Sequence, residues 1–201
     1  MSDTVLEVKN LVTTFRINKK EYPVIRDISF EIHENETLCM VGESGCGKSV
    51  TTLSVMGLLP ENGAVRGGSI KLCGEELLGM TPRQLSRIRG SKMGMIFQEP
   101  MTSLNPLLTI GYQLTEGLRR HRGLSKAEAH ATAVSYLEKV GIANAEERMK
   151  QFPFQLSGGL RQRIMIAMMM SLQPRLLIAD EPTTALDVTI QKQVLLLLNR
   201  L

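Results

Sequence analysis

The 201-residue chain is 43% hydrophobic and 22% charged, a globular balance with enough length to bury a core without metal or disulfide staples. Its 24 basic and 20 acidic side chains leave +4 at neutral pH with the bases scattered among acids, which argues against a nucleic-acid partner. Cys39, Cys46 and Cys73 are odd in number and lack metal-type spacing, so they read as reduced thiols with Cys39 in the core, and no apolar run or signal sequence marks a membrane span or export.

In chain order, Val5 to Phe15 and Val24 to Ile32 alternate and are rich in β-branched and aromatic residues, with the polar turn Asn18-Lys19-Lys20-Glu21 between them. That pattern predicts antiparallel strands. Thr37 to Val41 reads as a short apolar strand running into glycines, and from Lys48 a helical pattern runs to about Leu58, stopped by Leu59-Pro60-Glu61-Asn62-Gly63. Ser69 to Cys73 predicts another strand. Thr81-Pro82-Arg83-Gln84 then combines a capping threonine, an early proline and a glutamine three residues on, which opens a short helix to about Arg89. Met93 to Phe97 reads as a buried strand, after which the chain is helical for most of the way to Leu172; Ser125 to Glu128 is a capping box there and Gly141 a stop. Arg175 to Asp180 predicts a further apolar strand, and Val188 to Leu201 a helix with Val194, Leu195, Leu198 and Leu201 on one face. Strands interleaved with helices predict an α/β core carrying a helical insertion at about 99–156.

Gly42-Glu43-Ser44-Gly45-Cys46-Gly47-Lys48-Ser49 fits G-x-x-x-x-G-K-[ST] between a predicted strand and a predicted helix. Glycines let the backbone wrap a polyphosphate, N–H groups and the helix N-terminus supply positive charge, Lys48 reaches the outer phosphates and Ser49 offers a hydroxyl to Mg²⁺. The competing reading, a glycine-rich turn with a solvated lysine, leaves the eight-residue match unexplained. Cys46 reads as filler at a variable position. Leu176 to Glu181 is an apolar strand ending in two carboxylates, the place where a parallel sheet presents its ligands. Asp180 would serve Mg²⁺, and Glu181 would orient and deprotonate the attacking water. Ser157-Gly158-Gly159 opens a helix with N–H groups available to an anion, or is an ordinary cap, and the methionines after it read as core packing. Gln98 directly follows a buried strand. His33, His121 and His130 share no metal spacing.

These motifs, in this order, resemble the nucleotide-binding subunit of an ATP-binding cassette (ABC) transporter. Gly42 to Ser49 matches its phosphate loop, Gln98 its Q-loop and Leu156-Ser157-Gly158-Gly159-Leu160 its signature. Ile178 to Pro182 matches the Walker B segment and Ala185-Leu186-Asp187 the D-loop, while Phe15 resembles the aromatic residue that stacks on adenine. Residues 97–106 and 179–189 further resemble the oligopeptide and dipeptide importer subgroup, which also includes nickel and glutathione importers. The resemblance implies a P-loop NTPase fold with an antiparallel β subdomain and an α-helical subdomain. It divides one domain, 1–201, into a nucleotide-binding core (1–98 and 157–201) and the helical part (99–156). ATP and Mg²⁺ are the implied cofactors: Glu181 and Gln98 catalytic; Ser49, Gln98 and Asp180 on the metal; Phe15, the loop Gly42 to Ser49, Ser157, Gly158, Gly159 and Asp187 on nucleotide. The implied partners are a second ATP-binding subunit in a head-to-tail dimer, transmembrane permease subunits and, indirectly, a solute-binding protein, at the cytoplasmic face of the inner membrane. Peptide uptake is the expected activity.

Two departures accompany the resemblance. Leu160 stands where the commonest signature has glutamine, a mild change, since this subgroup often carries an apolar residue there. The chain also stops before the family's switch histidine, whose strand lies inside the parallel sheet, so part of the core is expected to be missing and hydrolysis impaired. A non-catalytic module binding nucleotide or the membrane subunits, and a nickel or glutathione importer ATPase, are the alternatives.

Overall fold

A computed structural model describes residues 3–97, 103–180 and 191, in two compact units that divide between Arg89 and Gly90. The first unit is built on β1 (Thr4–Ile17) and β2 (Lys20–His33), an antiparallel hairpin closed by Asn18 and Lys19, both at positive φ as a type I′ turn requires. β3 (Gly63–Leu72) pairs with the other edge of β1 and β4 (Glu75–Glu76) with β3, giving the order β2-β1-β3-β4. β3 begins six residues ahead of the predicted Ser69 because its pairing with β1 runs on to Phe15 opposite Gly63.

A line of left-handed residues crosses this sheet at Asn10, Asp27 and Gly68. The register of both ladders slips beside Asn10, and its side-chain amide donates to Asp27 Oδ1 at 2.7 Å while its backbone N–H donates to Ser29 Oγ at 2.8 Å. Gly68 is required there: a Cβ would sit 2.4 Å from the Lys9 carbonyl oxygen. Val5, Leu6, Val8, Leu11, Ile25, Ile70 and Leu72 are buried in this unit.

α1 (Lys48–Met56) ends at Gly57. The predicted stop at Leu59-Pro60 comes two residues too late, because the Leu58 N–H already turns back to the Leu53 carbonyl. α2 (Pro82–Ile88) has the predicted capping box, with the Gln84 N–H donating to Thr81 Oγ1 and the Thr81 N–H to Gln84 Oε1 at 2.8 Å. Arg89 then ties the end of α2 to α1 by donating from Nε to the Met56 carbonyl at 2.8 Å.

Two expectations fail in this unit. Thr37 to Val41 forms no strand, since no described strand offers it a ladder, and Val41 is 94% exposed. Cys39, on the same segment, is therefore exposed and not core.

In the second unit β5 (Met93–Ile96) and β6 (Leu176–Ala179) pair in parallel, Met93 opposite Leu176 and Ile96 opposite Ala179. Between them in sequence come α3 (Ile110–Arg122), α4 (Lys126–Lys139), α5 (Ala145–Met149), a 3₁₀ turn (Pro153–Gln155) and α6 (Gly158–Ser171). Ser125 makes the predicted capping box with Glu128, and α4 gives way at Val140 and Gly141. Ile110, Leu114 and Leu118 repeat every four residues and bury one face of α3 against Ala133 and Leu137 of α4 and Ile164 and Ala167 of α6. Each large apolar side chain buried there contributes roughly 1.5–3 kcal/mol. Met165 and Met170 are buried in the same cluster, with Met168 and Met169 partly buried against it. Gln98, Glu181, Asp187 and the predicted helix Val188 to Leu201, apart from Gln191, lie outside the described residues.

Candidate nucleotide-binding site

The loop Gly42 to Ser49 leads into α1, and Lys48 is the first residue of that helix. Its ammonium donates to the carbonyl oxygens of Gly42 at 2.7 Å and Glu43 at 2.9 Å, so the loop curls around the charge. The Cys46 N–H closes the curl onto the Glu43 carbonyl at 3.3 Å. Cys46 Sγ lies 3.7 Å from the ammonium and fills the space beside Gly42, where a Cβ would meet it at 2.6 Å. Gly47 is buried at φ 102, and a Cβ there would collide with Ile25 Cδ1 at 2.7 Å. Only glycine fits both conditions. Glu43, Ser44, Gly45 and Ser49 are exposed.

Three contacts from beyond the motif hold the loop in place. Ile25 of β2 backs Gly47, Thr51 Oγ1 donates to the Gly47 carbonyl at 3.0 Å, and Ser54 Oγ meets Thr13 Oγ1 at 2.9 Å inside the unit, tying α1 to β1. Thr13 and Thr51 are buried polar residues, and an inward-facing threonine in the predicted strand Val5 to Phe15 is the sequence signal that points to Thr13. Phe15 is half-buried, its ring 3.1 Å from where a Cβ on Gly63 would be.

The remaining predicted positions lie in the second unit. Ser157 is the N-cap of α6: its Oγ accepts from the Leu160 N–H at 3.4 Å and its carbonyl from the Arg161 N–H at 3.0 Å. Gly158 and Gly159 form the first turn, and a Cβ on Gly158 would meet nothing within 4 Å, leaving that helix start open to an approaching group. Asp180 directly follows β6, and its N–H donates to the Ile96 carbonyl at 3.0 Å, which fixes it at the C-terminal end of the parallel pair.

The donor set suits a divalent cation that arrives on phosphates. Among the described residues no three His, Cys, Asp or Glu side chains group to cage a metal, whereas Mg²⁺ carried by a nucleotide needs only one or two protein oxygens, such as a serine hydroxyl and one carboxylate.

A glycine loop wrapped on a lysine at a helix start, and a carboxylate ending a parallel strand, are the parts of a phosphate-handling P-loop protein. The ABC transporter family model matches residues 25–184, and this chain belongs to that family. Its fold is that of the ABC ATPase: the ATP-binding cassette MJ0796, solved as a dimer in a post-hydrolysis state bound to ADP and Pi, superposes with a TM-score of 0.85 at 27% identity over 96% of this chain and 81% of that one. Among curated proteins, the oligopeptide transport ATP-binding protein AppD of Bacillus subtilis is 53% identical over 98% of this chain and 61% of its own length. The oligopeptide transport ATP-binding protein OppD of Salmonella typhimurium is 48% identical over 100% and 59%, and the dipeptide transport ATP-binding protein DppD of Bacillus subtilis 50% over 96% and 58%. The chain thus spans about 60% of the length of the curated relatives it matches.

Proposed function

We propose that the chain binds Mg·ATP as the ATP-binding part of a peptide importer and couples ATP hydrolysis to uptake across the bacterial cytoplasmic membrane. The observation that carries this reading is the loop closed on Lys48, whose carbonyl partners at 2.7 and 2.9 Å are replaced by phosphate oxygens when the ammonium turns to an anion. The peptide-transport relatives at about half identity support the substrate class.

In this reading the loop N–H groups and the start of α1 hold the phosphates, Lys48 neutralises the outer ones and Phe15 stacks on adenine. Bound Mg²⁺ supplies the charge that offsets the developing negative charge of phosphoryl transfer. Ser49, Asp180 and Gln98 hold the ion, and Glu181 orients the attacking water and takes its proton. Ser157, Gly158, Gly159 and Asp187 complete the site of a second ATP-binding subunit, a role supported by the dimeric neighbours and by the open first turn of α6. Permease subunits and a solute-binding protein are the further partners, at the cytoplasmic face of the inner membrane. Among the described residues no helix is long and apolar enough to cross a membrane.

A thermal melt of the chain with and without Mg·ATP tests the proposal. A hundredfold excess over the dissociation constant is expected to stabilise by about 2.7 kcal/mol, and Lys48→Ala to abolish the shift. A melt unmoved by nucleotide in the parent chain overturns it. Phosphate release that Glu181→Gln removes separates turnover from binding alone.

A further inference from the structure

Phe15 has an aromatic neighbour across the hairpin. Tyr22 of β2 stands directly opposite it and is 49% exposed. Residues opposite one another in an antiparallel pair share a face of the sheet, with Cβ atoms about 5 Å apart. A bulge decides which face that is. Thr13 pairs with Ile25 and Thr14 with Pro23, so Val24 is an extra residue, and without it Tyr22, three positions from Ile25, would point to the other side. With it, Phe15 and Tyr22 lie on the face where Ile25 backs Gly47 of the phosphate loop and Thr13 meets Ser54 of α1.

The ring of Phe15 lies toward β3. Gly63, its partner on that strand, has no side chain, and a Cβ there would be 3.1 and 3.2 Å from Cε1 and Cζ of the ring. On the other flank Tyr22 precedes Pro23, which keeps its backbone extended on the outer strand of the sheet. The ring contacts among the described residues do not include one between Phe15 and Tyr22. Two rings set opposite each other that do not stack leave a slot between them, and a planar heteroaromatic base fits it.

We propose that Tyr22 is a second base-stacking residue, which with Phe15 grips the purine of the nucleotide and sets a preference for purine over pyrimidine triphosphates. The inference rests on the nucleotide reading above and adds a base contact to it. Tyr22 lies at most about 10 Å along β2 from Ile25, a distance that a ribose and its first phosphates span. Stacking strength sets modest base preferences, and the two-ring purine overlaps two aromatic faces more than a pyrimidine does.

The test is the affinity of the full chain for Mg·ATP, Mg·CTP and Mg·tripolyphosphate, the last carrying phosphates and no base. The parent is expected to bind them in that order. Tyr22→Val, which suits an exposed strand position, is expected to weaken Mg·ATP about tenfold relative to Mg·tripolyphosphate and to narrow the preference over Mg·CTP, while Tyr22→Phe retains both. A nuclear Overhauser effect from the base protons of ATP to tyrosine ring protons is expected in the parent and lost in Tyr22→Phe, which reports the contact even where Tyr22→Val unfolds the hairpin. A Tyr22→Val chain with the parent's preference for Mg·ATP, or a parent that binds Mg·ATP without that Overhauser effect, overturns the role of Tyr22 and leaves the nucleotide reading standing. A parent that binds none of the three ligands overturns both.

Discussion

Glu76 closes the β3–β4 hairpin through one carboxylate: Oε1 accepts from the N–H groups of Ile70 and Leu78, both at 3.0 Å, and Oε2 from the Ser69 hydroxyl. Burial by itself raises such a group, but these three donors and the nearby Lys71 outweigh it and hold Glu76 below the usual carboxylate value. A folded-state pKa below the unfolded value means that the contribution is present above about pH 4.5 and is lost as pH falls through the folded value. Glu76→Gln is therefore expected to cost about 1–2 kcal/mol at pH 7 and to flatten the loss of stability below pH 4.5, measured by urea unfolding across that range. A variant with the parent's acid profile would disprove the assignment. At the same scale the phosphate loop was legible because glycine and lysine spacing records a backbone shape directly. The supports Thr13, Ile25 and Ser54 were not, since their work depends on contacts from other elements.

The capping boxes at Thr81 and Ser125, whose ends are written in local chemistry, came out as read, while the turn expected over Asn18 to Glu21 narrows to Asn18 and Lys19 because Lys20 and Glu21 pair with Ile17 and Arg16. Thr37 to Val41 has the composition of a strand and no ladder with any described strand, because a strand is a property of two segments and the sequence of one cannot supply the other. Its apolar side chains stand in solvent, with Leu38 and Met40 each 40% exposed. Hydrogen exchange is expected to find the amides of residues 38–41 unprotected while those of Val8 and Ile70, paired across β1 and β3, exchange slowly. Protection at 38–41 equal to that of β1 would mean that the segment has a ladder partner.

Across the molecule, the helical cluster of the second unit draws all its buried members from beyond residue 90, while the sheet of the first unit has its own buried residues. Two cores predict two unfolding transitions. Leu114→Ala is expected to lower the transition of the second unit by about 2–5 kcal/mol and leave the other in place, with Ile70→Ala doing the reverse. Calorimetry checks this, and a single transition moved by either change would show one cooperative unit.

By itself the sequence determined the phosphate loop, the serine-capped start of α6 and the strand that leads to Asp180, because each is encoded by short-range spacing within one segment, and the alternation of strands and helices along the chain determined the α/β class. Tertiary structure alone decided which apolar segment found a sheet, that Cys39 faces solvent, which threonines anchor α1, and that the ring of His121 packs on Gly90. Those outcomes rest on hydrogen bonds and packing between residues far apart in sequence. No local pattern records them, because each partner's position is fixed only when the whole unit closes.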